Sequence, residues 1–129
     1  MLIRLMIRQL KPCLLLLLSC VLAQAQSLKW EATEETVKLA APQKTAEAVY
    51  RFENVSDQTV EIKDVRTSCG CTAAKFEKKA YAPGEKGEIS VTYKKPWGAR
   101  GRQVKPLIVK TSAEPNLLKL ILELPGSEK

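Results

Sequence analysis

Several stretches of this chain alternate apolar and polar residues with period two, and Pro or Gly stands between most of them. That period is what a half-buried strand requires, because successive side chains of a strand point to opposite faces. In residues 45–52, Ala46, Ala48, Tyr50 and Phe52 share one face, and Glu47, Val49 and Arg51 share the other. In residues 59–65, Val60 and Ile62 oppose Glu61 and Lys63. The cleanest case is residues 87–93, where Ile89, Val91 and Tyr93 alternate with Glu88, Ser90 and Thr92. Residues 102–111 form another strand, and Pro106 inside it argues for an edge or a bulge, since proline cannot donate to a ladder. Residues 117–124 alternate Leu118, Leu120, Leu122 and Leu124 with Lys119 and Glu123. Their composition suits a helix, but Pro115 and Pro125 leave only a short span, so the segment reads as the last strand.

Turn signals fill the gaps. Residues 54–58 are polar, and Ala82-Pro83-Gly84-Glu85-Lys86 has the adjacent Pro and Gly of a type II turn. After residue 26 no stretch holds a helical period. About seven short strands in roughly 100 residues predict an all-β, immunoglobulin-like β-sandwich. Residues 26–129 then make a single domain, with neither repeat nor low-complexity segment.

Residues 1–25 read differently. Arg4, Arg8 and Lys11 precede an almost wholly apolar run at residues 13–22, and Ala23-Gln24-Ala25 follows. A basic start, a short apolar core and a small-residue exit make a secretory signal peptide cut between Ala25 and Gln26. The run is shorter than the ~20 residues that span a bilayer. Leu17-Leu18-Ser19-Cys20 offers an alternative, since it is similar to a lipoprotein cleavage box. It departs from that pattern in its large Leu18, and the apolar run continues past it. The expected location is thus periplasmic or secreted, with a lipoprotein anchored through Cys20 as the alternative.

Charge and composition narrow the chemistry. The chain has 21 bases, 14 acids and no histidine. Loss of Arg4, Arg8 and Lys11 leaves 18 bases against 14 acids, a net charge of +4. The bases are interleaved with acids, whereas a nucleic-acid binder gathers them on one face, so no nucleic acid is expected as a partner. Without histidine no Ser-His-Asp or Cys-His nucleophile can be assembled, and imidazole zinc ligands are absent.

Two cysteines remain after residue 25, Cys69 and Cys71, with Gly70 between them. Residues two apart on a strand point to one side, and Gly70 can take a positive φ that bends the chain. Three readings follow: a local disulfide in an oxidising compartment, a redox-active dithiol, and a Cu(I) site built on two thiolates. The first is favoured. A redox thiol is commonly activated at a helix start, and copper carriers commonly add ligands. Arg66 and Lys75 are the nearest bases in sequence.

Wider motifs carry a resemblance. Phe52-Glu53-Asn54-Val55-Ser56, Val60-x-Ile62-x-x-Val65 and Thr67-Ser68-Cys69-Gly70-Cys71-Thr72 resemble the domain of unknown function 1573 family. So do Ala82-Pro83-Gly84-Glu85-Lys86-Gly87-x-Ile89-x-Val91 and Gly101 ahead of Val109-x-Thr111. The resemblance covers residues 30–124. Ser112 after the late Thr, and Pro96-Trp97-Gly98, depart from it. It implies an exported immunoglobulin-like domain, similar in architecture to PapD-like and ASH modules, and it implies no activity.

The expectation is a non-catalytic protein-interaction or scaffold module of the bacterial envelope, with no cofactor and no catalytic residue. Its partner is expected to be another envelope protein. Membrane contact is expected only through an uncleaved signal or a lipid on Cys20. Trp97, in Pro-Trp-Gly-Ala-Arg-Gly, is a candidate contact residue or else a partly buried loop anchor. Trp30 is expected to pack in or beside the core. A periplasmic thiol-redox or copper(I)-binding protein using Cys69 and Cys71 is the alternative.

Overall fold

A computed structural model describes residues 26–126. The signal segment, the Cys20 alternative and the end of the tail lie outside the described residues. The described residues form nine strands: β1 (Leu28–Trp30), β2 (Glu34–Lys38), β3 (Thr45–Asn54), β4 (Val60–Thr67), β5 (Thr72–Phe76), β6 (Ala80–Tyr81), β7 (Lys86–Lys94), β8 (Gly101–Thr111) and β9 (Asn116–Leu124). They form a four-stranded sheet in the order β1-β3-β7-β5 and a five-stranded sheet in the order β2-β9-β8-β4-β6. The fold is an immunoglobulin-type sandwich.

The alternation dictates the packing. Ala46, Ala48, Tyr50 and Phe52 from β3 and Ile89, Val91 and Tyr93 from β7 are buried on the inner face of the first sheet. Leu107 and Val109 from β8 and Leu118, Leu120, Leu122 and Leu124 from β9 are buried opposite them. The leucines of β9 keep period two along the whole strand. A helix would have spread them around its axis, so packing overrides their helical propensity.

Two details differ from the sequence reading. Pro106 is not on an edge strand, since β8 lies between β9 and β4. The β4 ladder, however, runs only from Ile62↔Thr111 to Thr67↔Leu107, so Pro106 sits just past its end. At that position β8 has a locally free flank, which accommodates a residue without an N–H. The other detail is the strand count. After Trp30 the chain leaves the four-stranded sheet, and β2 pairs parallel with β9, from Glu34↔Lys119 to Lys38↔Glu123.

The turn at residues 82–85 is as read. Glu85 N donates to Ala82 O at 2.9 Å, and Gly84 has φ +83°.

Candidate functional site

The cysteine pair occupies a corner. Thr67 ends β4 in the five-stranded sheet, and Thr72 begins β5 in the four-stranded sheet. Four residues cross between the sheets, and Cys69 and Cys71 are joined there by a disulfide with Cα atoms 5.3 Å apart. Thr67 Oγ1 lies 3.2 Å from Cys69 O and 3.1 Å from Thr72 O, bridging the two carbonyls. Thr72 N donates to Cys69 O at 3.3 Å, and Lys94 N donates to Cys71 O at 2.8 Å. The sulfurs are half-buried, and the Thr72 hydroxyl lies 3.7 Å from Cys69 Sγ and 3.8 Å from Cys71 Sγ. Gly70 does not adopt positive φ, and a Cβ there would meet nothing within 4 Å. The corner therefore closes without the left-handed bend that the glycine permits.

Neither of the bases nearest in sequence serves this corner. Arg66 pairs with Asp64 at 3.5 Å. Its position, opposite Ile108 in register, puts it on the outer face of the five-stranded sheet. Lys75 is exposed on β5. Among the described residues, no group of three or more Cys, Asp or Glu side chains converges as metal ligands do.

Trp97 is not a loop anchor. It is fully exposed, at 102% of its reference area. The loop that carries it joins β7 to β8 and is hydrogen-bonded at its base. Lys95 N donates to Lys44 O at 2.7 Å, Ala99 N donates to Pro96 O at 3.1 Å, and Gly98 takes φ +80°. The indole stands beside a shallow groove lined by Ala41, Gln43, Lys44, Lys95 and Pro96. Trp30, by contrast, packs beside the core as expected. Its ring lies 5.0 Å from that of Phe52, and its Nε1 donates to Asn116 Oδ1 at 3.1 Å.

Sequence reasoning missed a third feature. On the outer face of the five-stranded sheet, Val104, Ile108 and Leu117 are 48%, 44% and 54% exposed. Ile108 faces Leu117 and Val104 faces Ile121 across β8 and β9. The signal was in the sequence: Val104 and Ile108 have the opposite parity to the buried Leu107 and Val109, so β8 is apolar on both faces.

Comparison with known proteins follows this geometry. The family model described as a protein of unknown function (DUF1573) matches residues 28–124, from the start of β1 to the end of β9. The chain belongs to this family. No curated protein matches. Among solved structures, a protein of unknown function from Porphyromonas gingivalis W83 is 14% identical, with a TM-score of 0.65 over 81% of this chain and 51% of that one. PapD-like domain 7 of human CEP192, an ASH/PapD-like domain, is 11% identical, with a TM-score of 0.63 over 84% of this chain and 94% of that one. The Pseudomonas aeruginosa CupB2 chaperone is 14% identical, with a TM-score of 0.57 over 74% of this chain and 55% of that one. The chain thus spans about half the length of the Porphyromonas protein and of the chaperone. At these identities the likeness shows the fold alone: this DUF1573 domain is an immunoglobulin-type sandwich similar in fold to PapD-like domains.

Proposed function

We propose that this DUF1573 domain is an exported, non-catalytic interaction module of the bacterial envelope that binds another envelope protein. The observation that carries this reading is the exposed row Val104, Ile108 and Leu117 on the outer face of the five-stranded sheet. Exposed apolar side chains gathered on one face and bordered by charge mark interaction surfaces in soluble domains. Pro106 lies between Val104 and Ile108 on this face, its register partner Lys119 pairs with Glu34 at 3.2 Å, and Arg102 faces Glu123 beyond Val104. Export is supported by the basic and apolar pattern of residues 1–25 and by the disulfide, which persists in oxidising compartments.

The thiol reading has less support. The two sulfurs bridge each other at a hydrogen-bonded corner, and the side chain recorded against them is the Thr72 hydroxyl, which supplies no charge to stabilise a thiolate.

The test is affinity capture from envelope extracts with tagged protein beginning at Gln26. A saturable protein partner should be retained by the wild type and lost by the Ile108→Ser/Leu117→Ser variant, whose substitutions are on the surface. Equal retention by that variant overturns this surface as the binding face.

A further inference from the structure

The loops at the two ends of the sandwich differ in charge. Four chain segments meet at the Trp97 end: residues 39–44, 68–71, 95–100 and 125–126. Their ionisable side chains are Lys44, Lys95 and Arg100, and they hold no acid. Lys44 and Lys95 are held together at the base of the Trp97 loop by the 2.7 Å bond between their backbones. Glu123, on the adjoining strand end, is flanked in register by Lys38 on one side and Arg102 on the other. Loops at the opposite end carry the acids Asp57, Glu77, Glu85 and Glu114 beside two bases, Lys78 and Lys79, and Lys79 pairs with Glu85.

We propose that the Trp97 end lies against an anionic lipid surface. The inference goes beyond the protein partner assigned to the outer sheet face and uses a different part of the molecule. Its physical basis is one fully exposed indole on an end whose loops carry Lys44, Lys95 and Arg100 and no acid. Indole side chains favour the boundary between headgroups and acyl chains. Lys and Arg on the same end as such a ring meet anionic headgroups, where each adds to binding. A protein partner fits this end less well. An ordinary protein interface centres on several desolvated apolar side chains, and here one ring stands among lysines, an arginine and small or polar residues.

Cosedimentation of the protein beginning at Gln26, which holds every described strand, tests the proposal. Vesicles of equal parts phosphatidylglycerol and phosphatidylcholine should bind it, and vesicles of phosphatidylcholine alone should bind it far less. Neutralising Lys44, Lys95 and Arg100 to Gln should lower partitioning on the order of a hundredfold, about fivefold per base. Neutralising Lys29, Lys75 and Lys86 to Gln changes the net charge equally and should leave partitioning within a few-fold of the wild type. Lipids brominated near the headgroup should quench tryptophan emission of the wild type, and the quenched component should vanish in Trp97→Ala. Circular dichroism of each variant checks that the sandwich is intact. The proposal is overturned if phosphatidylglycerol vesicles bind no better than phosphatidylcholine, or if the two charge variants lose binding equally. Unaltered binding by Trp97→Ala overturns it as well. These outcomes are independent of protein capture through Ile108 and Leu117, so either reading can fail alone.

Discussion

Phe52 and Tyr81 meet edge to face across the two sheets, with ring centroids 4.9 Å apart and planes at 77°. Gly87 lies where the rings converge, and a Cβ on it would stand 2.5 Å from Phe52 Cζ and 2.5 Å from Tyr81 Cε1. Gly87 is the register partner of Phe52 on β7. Its role is therefore space, since its backbone is in the extended region like that of its neighbours. Gly87→Ala should destabilise the domain by about 1–3 kcal/mol, the cost of overpacking a filled core. Urea denaturation measures it. A variant as stable as the wild type would show that the aromatic pair moves aside freely.

Asn54 is fully buried and binds three parts of the chain at once. Its Nδ2 donates to Gln58 O at 2.8 Å and to Tyr81 O at 2.9 Å, while its Oδ1 accepts from Ser56 N at 3.0 Å and from Ser56 Oγ at 2.7 Å. Its own backbone holds the Pro83-Gly84 turn through Gly84 N at 2.7 Å. Asn54→Ala strands the buried Tyr81 carbonyl, at a cost of roughly 1–3 kcal/mol, while the exposed Gln58 carbonyl keeps Ser56 Oγ at 2.9 Å. Asn54→Asp is expected to be worse at neutral pH, because a carboxylate would face both carbonyl oxygens. Its stability should recover partly on acidification, as protonation restores one donor. Melting curves at several pH values check this, and an Asp variant indifferent to pH would refute the geometry.

How much of this was legible in the sequence depends on where the energetics lie. The inner faces of β3, β7 and β9 were readable because burial imposes strict period two on long strands. In β1 and β2, three and five residues long, too few positions exist for a period to show. β2 is placed by parallel pairing with β9, some 85 residues away in sequence, which no local pattern encodes. The family motif Phe52-Glu53-Asn54 was visible as letters, but only the fold shows that Asn54 satisfies carbonyls from two other segments. Cys-Gly-Cys was visible as a spacing, while its position at the switch between sheets was not. Trp97 was equally ambiguous, because a loop tryptophan flanked by Pro and Gly has one sequence whether it packs down or stands in solvent.

Export predicts a definite start to the chain. Mass spectrometry of protein from the native host should find Gln26, free or cyclised, as the first residue, since Ala23 and Ala25 present small side chains to the peptidase. A diacylated or triacylated Cys20 start would establish the lipoprotein instead, and an intact Met1 would sink both.

The disulfide yields the last prediction, and the size of its loop sets the scale. Cys69 and Cys71 enclose one residue, so the bridge removes little entropy from the unfolded chain, worth about 1–2 kcal/mol by loop length. The corner has other ties that do not depend on sulfur: Thr67 bridges two carbonyls, and Cys71 O is held by Lys94 N. Cys69→Ser/Cys71→Ser should therefore lower the melting temperature modestly, keep the β-sheet spectrum and leave partner capture and vesicle binding intact. Thr67→Val, which removes the bridging hydroxyl but keeps both cysteines, should cost a comparable amount. The corner joins two strands and the chain has no histidine, so a thiol released by reductant lacks the helix start or imidazole that activates a thiolate and should react slowly at neutral pH. Disulfide exchange with a small thiol and titration with Cu(I) complete the comparison. Fast exchange, or tight stoichiometric copper binding by the reduced wild type that the serine variant lacks, would transfer the function of this domain from its surfaces to its two sulfurs.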